Sequence, residues 1–224
     1  IIAQREHKPA SVGTIEEQLL QFANVADALD AAHQEGIVHR DIKPSNILCD
    51  EQGKFWIADF GLARIAANIS LTRSGELLGT IRYMSPEQVA GKHVLVDHRA
   101  DIYSLGATMY EALTGRCLVP GAETADLLAT ILRREPLRFF EPNYARQRDL
   151  EIVLQKATAM HRDDRYASAG QLRDDLLRLV DGRPILAHRL SRSTLALRWL
   201  IAHKRVATTV AASLLVAGGY LVHS

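Results

Sequence analysis

His39-Arg40-Asp41-Ile42-Lys43-Pro44-Ser45-Asn46, with Asp59-Phe60-Gly61 a short hairpin downstream, is the stretch that the remainder of the chain is arranged to serve. Asp41 can accept a proton from a hydroxyl. Lys43 can lie against phosphate oxygens as a point charge. Asn46 and Asp59 offer hard oxygen ligands to a small divalent cation such as Mg2+, which proteins usually share with nucleotide phosphates. A base, a cation and a pair of metal ligands in one neighbourhood are what phosphoryl transfer from ATP to an alcohol requires. The plain alternative is a polar surface turn followed by an unrelated Asp-Phe-Gly turn. Landmarks further along, in a fixed order, argue against it.

H-R-D-I-K-P-S-N plus D-F-G resembles the catalytic loop and metal-binding turn of the protein kinase family. The resemblance implies that Asp41 is the base and that Lys43 stabilises the transferring phosphoryl group. It implies that Asn46 and Asp59 hold Mg2+, and that ATP lies against Lys43, Ser45, Asn46, Leu48 and Asp59, with Leu48 as the floor under the adenine ring. For Leu48 the simpler role of a strand core residue is compatible with this. His39, Arg40, Phe60 and Gly61 are then the frame of the site.

Between Asp59 and Glu87 the chain is polar and aperiodic, similar to a kinase activation segment, with Ser85-Pro86-Glu87 standing where the family most often has A-P-E. By the same resemblance the Thr80 hydroxyl should bond near Asp41 and Lys43, and Lys43 favours serine/threonine over tyrosine specificity. Asp101 should hold the backbone of the catalytic loop, and Arg165 should pair with Glu87. Thr72 and Ser74 are candidate phosphosites, with Ser70 behind them. A phosphate there could be clamped by Arg40; the alternative is that these are solvated loop hydroxyls.

Local pattern fills in the architecture. Thr14-x-x-Glu17 is a capping box that opens a helix, and Gly36 stands where a left-handed C-terminal cap belongs. His33, on the apolar face of this helix, reads as a packed core residue rather than a ligand. Ile47–Cys49 and Phe55–Ile57 read as a hairpin, which would return Asn46 to the neighbourhood of Asp59. Ala100–Leu113 has helical period and stops at Gly115, and further helices are expected at about 123–134, 147–160 and 169–180. Ser168-x-x-Gln171 caps the last of them. His161-Arg162-Asp163 repeats H-R-D, but Ser168 stands where the metal-ligating amide would be and no D-F-G follows, so it reads as a surface connection.

Composition places few limits. Of 224 residues, 47% are hydrophobic and 24% charged, as in an ordinary globular protein. No acidic residue follows Asp181, whereas Arg183, Arg189, Arg192, Arg198, Lys204 and Arg205 do follow it; without those six, a total of +1 leaves the first 181 residues about five units negative. The basic charge is thus local, and no nucleic-acid partner is expected. Cys49 and Cys117 lack the spacing of a zinc site, and a reducing cytoplasm suits them. Residues 206–222 form an uncharged apolar run at the lower limit for a membrane-spanning helix. Basic residues precede it, so the side carrying the lobe should be cytoplasmic. A buried soluble helix is the alternative for this run.

The expected fold is therefore mainly α, the C-lobe of the α+β protein kinase fold, with a small β-hairpin and a C-terminal transmembrane helix. Residues 1–181 would be the C-lobe, 182–205 a basic juxtamembrane linker and 206–222 the span. The Gly-rich loop, strand Lys and helix Glu of a whole kinase are not found before the catalytic loop, and the chain opens at Ile1, so a fragment of a longer kinase is expected. That fragment should be inactive or nearly so by itself. Taken whole, the chain resembles a bacterial membrane-anchored serine/threonine kinase of the eukaryotic-like type, acting on protein substrates, with a homodimer for phosphorylation in trans compatible with it. The competing reading is a non-catalytic, membrane-tethered docking module.

Overall fold

The computed structural model describes residues 13–60, 79–91, 96–121, 123–133 and 144–188, all within the first of the two units into which the chain divides, 1–188. Gly61, Ser70, Thr72, Ser74 and the run 206–222 lie outside the described residues. Among the described residues no helix is long and apolar enough to cross a membrane.

The elements of the described part are six α-helices, one hairpin and two single-turn 3-10 helices (Pro44–Asn46 and Arg162–Asp164): α1 (Ile15–Gln34), β1 (Ile47–Cys49), β2 (Phe55–Ile57), α2 (Pro86–Val89), α3 (Arg99–Thr114), α4 (Thr124–Arg133), α5 (Gln147–Ala157) and α6 (Ala169–Val180). α1 begins at the expected capping box, with the Glu17 N–H donating to Thr14 Oγ1 and the Thr14 N–H to Glu17 Oε2. It ends in a Schellman turn: the Gly36 N–H donates to His33 O and the Ile37 N–H to Ala32 O, with Gly36 at φ 74°. Its buried face, Leu19, Phe22, Val25, Ala26 and Leu29, packs chiefly against α6. There the Gly170 N–H donates to Asp30 Oδ1 at 2.8 Å. A Cβ on Gly170 would come within 2.9 Å of the same carboxylate, so a side chain there would displace Asp30 from this hydrogen bond.

α3 is the centre of the lobe, with every residue from Ala100 to Met109 buried. Its polar members are satisfied: Ser104 Oγ donates to Tyr83 O at 2.7 Å, and Thr108 Oγ1 to Ser104 O at 2.8 Å. The helix ends at Gly115, whose φ of 66° is the left-handed cap expected there. At Gly106 the crossing with α5 is so tight that a Cβ would meet Thr158 Cγ2 at 2.7 Å and Ala157 Cβ at 2.9 Å.

α5 stops three residues earlier than its periodicity predicts. Just beyond its end the Ala159 and Met160 carbonyls accept from Arg165 at 2.8 and 3.3 Å, which ties the turn that follows the helix to the guanidinium.

The hairpin pairs Ile47 with Ile57, Leu48 with Trp56 and Cys49 with Phe55. Phe55 meets Phe22 of α1 edge-on, which fixes the hairpin to the helical core. Leu48 and Trp56 share the opposite face and are 54% and 51% exposed. Asp50 closes the turn, accepting from the N–H groups of Gln52 and Lys54 and from Trp56 Nε1. Those hydrogen bonds, with that to Trp56 foremost, hold the Asp50 carboxyl below its ordinary pKa.

Candidate active site

Asp41 follows the C-terminus of α1 in an irregular loop whose backbone is organised by a single buried carboxylate. Asp101, on the first turn of α3, has no exposure. Its Oδ2 accepts from the His39 N–H at 2.8 Å and its Oδ1 from the Arg40 N–H at 2.6 Å. His33 Nε2 lies 2.8 Å from Oδ2. A buried carboxylate without such donors would cost several kcal/mol, and here three donors meet it. His33 is packed, as its position on α1 suggests, but it is also a polar partner of Asp101, which its sequence context did not signal.

His39 is buried and uses both ring nitrogens: Nδ1 accepts from the Asp41 N–H at 3.3 Å, so the proton on Nε2 is donated to Ala58 O at 2.9 Å. The ring of Phe60 rests edge-on against it at 4.8 Å. His39 thereby joins the loop that bears Asp41 to the end of β2, next to Asp59. A second link runs from the Ala58 N–H to Asn46 O at 2.9 Å.

Asp41, Lys43, Asn46 and Thr80 form one contact set. Lys43 Nζ lies 2.9 Å from Asp41 Oδ2 and donates to Thr80 Oγ1 at 2.9 Å. Asn46 Nδ2 donates to the Asp41 backbone carbonyl at 2.8 Å and to Asp41 Oδ2 at 3.1 Å. Because a carbonyl can only accept, the amide orientation is set, and Asn46 Oδ1 is turned away from Asp41. That oxygen and the exposed carboxylate of Asp59 fit the hard-ligand chemistry of Mg2+, with phosphates and water completing its shell. Among the described residues no group of three or more His, Cys, Asp or Glu is disposed to hold a metal by itself.

Arg40 at φ 67° and Asp59 at φ 63° are the described non-glycine residues with left-handed backbone, and they flank this set on both sides. Such a conformation costs about 1–2 kcal/mol for a residue with a Cβ, and such outliers gather at functional sites. The other sequence-derived positions divide cleanly. Ser45 Oγ lies 3.5 Å from Asn46 Oδ1, at the edge of the set. The Arg40 side chain is exposed, and Leu48 opens outward on the hairpin.

Glu87 and Arg165 bond to each other rather than to Asp41 and act on the architecture. Their bidentate pair has N–O distances of 2.7 and 2.8 Å, and the guanidinium stacks on Tyr103. Burial alone would push the Glu87 pKa up, but the Arg165 hydrogen bonds and charge hold it below the ordinary value. Tyr83 donates to Glu111 Oε2 at 2.6 Å, and burial together with that carboxylate pushes its phenol well up.

One polar link has no counterpart among the positions read from the sequence. Gln88 of α2 donates through Nε2 to the Arg40 carbonyl at 2.9 Å. Its signal was present: Ser85-x-x-Gln88 has the capping-box spacing that identifies the starts of α1 and α6.

Residues 6–178 match the protein kinase domain family. The serine/threonine-protein kinase PknB of Mycobacterium leprae (strain TN) is 38% identical over 163 residues, covering 72% of this chain and 26% of that protein. PknB of Mycobacterium tuberculosis (strain ATCC 25618 / H37Rv) is 37% identical over 165 residues, 73% of this chain and 26% of that protein. The probable serine/threonine-protein kinase SCO3848 of Streptomyces coelicolor is 37% identical over 174 residues, 76% of this chain and 25% of that protein. The chain thus spans about a quarter of the length of these curated relatives. It belongs to the protein kinase family, among the bacterial eukaryotic-like serine/threonine kinases.

Proposed function

We propose that this chain is the C-lobe of a serine/threonine protein kinase that transfers the ATP γ-phosphoryl group to Ser and Thr hydroxyls of proteins. The observation that carries the proposal is the contact set itself. A half-buried carboxylate, an ammonium and an oriented amide meet at a loop whose backbone is tied down by Asp101 and His39. In this reading Asp41 aligns the acceptor hydroxyl and takes its proton. Lys43, steadied between Asp41 and Thr80, faces the charge that develops on the transferring group. Asn46 Oδ1 and Asp59 would hold Mg2+, which when bound neutralises phosphate charge. Ser45 and Leu48 would line the nucleotide.

The elements that would cover the phosphates are not found in these 224 residues, so the proposal includes an upstream lobe carrying a Gly-rich loop and a strand Lys. The exposed Leu48 and Trp56 face is where an adenine ring and such a lobe would rest. We further propose membrane attachment through 206–222 with the lobe cytoplasmic, and phosphorylation of Thr72 and Ser74 in trans within a homodimer.

The test is phosphotransfer from labelled ATP by a chain extended upstream in its reading frame, beside the 224-residue chain. Phosphoserine and phosphothreonine should appear with the extended chain, vanish with Asp59→Ala, and be nearly absent with the short chain. Equal transfer by the short chain, or full activity of Asp59→Ala, would refute the proposal.

A further inference from the structure

The left-handed backbone at Arg40 places an unusual demand on the peptide unit that follows it, the one carrying Asp41. Peptide planes are rigid, so the tilt of the Arg40–Asp41 plane sets where the Asp41 side chain leaves the backbone. That plane is held at two points. Its N–H donates to His39 Nδ1 through a long bond of 3.3 Å, and its carbonyl accepts from Gln88 Nε2 at 2.9 Å. The second bond is the shorter, and it comes from a residue 48 positions away.

Gln88 cannot turn its amide over. Its Oε1 accepts from the Ser85 N–H at 3.0 Å and from Ser85 Oγ at 2.9 Å. A backbone N–H only donates and a carbonyl only accepts, so a flip would set donor against donor at Ser85 and acceptor against acceptor at Arg40. Ser85 itself is fully buried. The Ser that stands where the family most often has Ala therefore supplies a second hydroxyl donor that locks this amide. The neighbouring Glu87 is pinned by Arg165. A rigid support thus reaches from the start of α2 to the carbonyl beside the candidate base.

We propose that Gln88 is a positioning residue for Asp41: its amide couples the end of the activation segment to the catalytic loop, holding the base in its working direction only while α2 is seated. This rests on the kinase reading of Asp41. It also explains why a partly buried Gln is hydrogen-bonded through both its amide oxygen and its amide nitrogen.

Two variants separate positioning from helix capping. Gln88→Glu keeps an oxygen for the Ser85 N–H at the third position of a capping box but brings no donor to the Arg40 carbonyl. Gln88→Ala loses both. For Gln88→Glu, which loses one hydrogen bond and sets an oxygen against the Arg40 carbonyl, the melting temperature should fall by about 2–4 °C, less than for Gln88→Ala. Hydrogen exchange of the 39–42 amides in the 224-residue chain should accelerate about fivefold, with the amides of α6 unchanged. In the upstream-extended chain kcat should fall about tenfold with KM for ATP unchanged, and Gln88→Ala should lose a similar factor. Unchanged exchange at 39–42 in Gln88→Glu would overturn the proposal. So would an unchanged kcat, or a loss confined to Gln88→Ala that tracks its melting temperature. If the extended parent transfers no phosphate, the kinase reading falls separately, and the exchange comparison still decides whether Gln88 holds the loop.

Discussion

Arg165 shows how a single residue can be committed entirely to architecture. Each of its five N–H donors has an acceptor: Ala159 O, Arg99 O, Met160 O and the two oxygens of Glu87. Arg165→Met should lower unfolding free energy by about 3–5 kcal/mol, because Glu87 is left buried and unpaired; urea denaturation measures it. The pair also makes a pH prediction. Glu87 has a folded pKa below its ordinary 4.5, so its stabilisation is complete above that value and is lost as pH falls through the lower folded one. The stability gap between the parent and Glu87→Gln should therefore be wide at neutral pH and close as the pH falls through the lowered folded pKa of Glu87. A gap that stays constant with pH would show that Glu87 is not ionised in the pair.

Elements were legible where their signals are local. Thr14-x-x-Glu17, Gly36 and Gly115 mark helix ends through bonds made within a few residues, and the structure places α1 and α3 accordingly. The hairpin was equally readable, because Asp50 and Gly53 close a turn between two short apolar runs. What could not be read was long-range. The role of His33 is set by Asp101 across 68 residues, and that of Gln88 by the Arg40 carbonyl. Periodicity carries no information about such partners. Thr14→Ala should cost about 1 kcal/mol by removing the α1 cap. Gly106→Ala should cost about 1–3 kcal/mol by forcing α3 from α5. Thermal unfolding of both variants checks these, and a neutral Gly106→Ala would show that the crossing can relax.

At the scale of the whole molecule, the family was legible because a few residues stand at fixed spacing in the sequence, and of these Asp41, Lys43 and Asn46 meet in one contact set. Extent and location were less so, since they depend on sequence beyond the lobe and on residues outside those described. If 206–222 spans the bilayer, the full-length protein should sediment with membranes at high salt, and deletion of 206–222 should release it. Sedimentation unaffected by that deletion would contradict the anchor.

The central claim is that Asp41 is the base of one phosphoryl-transfer site shared with Lys43, Asn46 and Asp59. Its most direct test is single-turnover transfer by the upstream-extended Asp41→Asn variant, an isosteric change that keeps a side-chain oxygen for Asn46 to donate to. Transfer should slow about 10²–10⁴-fold while the affinity for Mg2+ and ATP stays that of the parent. Parent-like transfer by Asp41→Asn would contradict it.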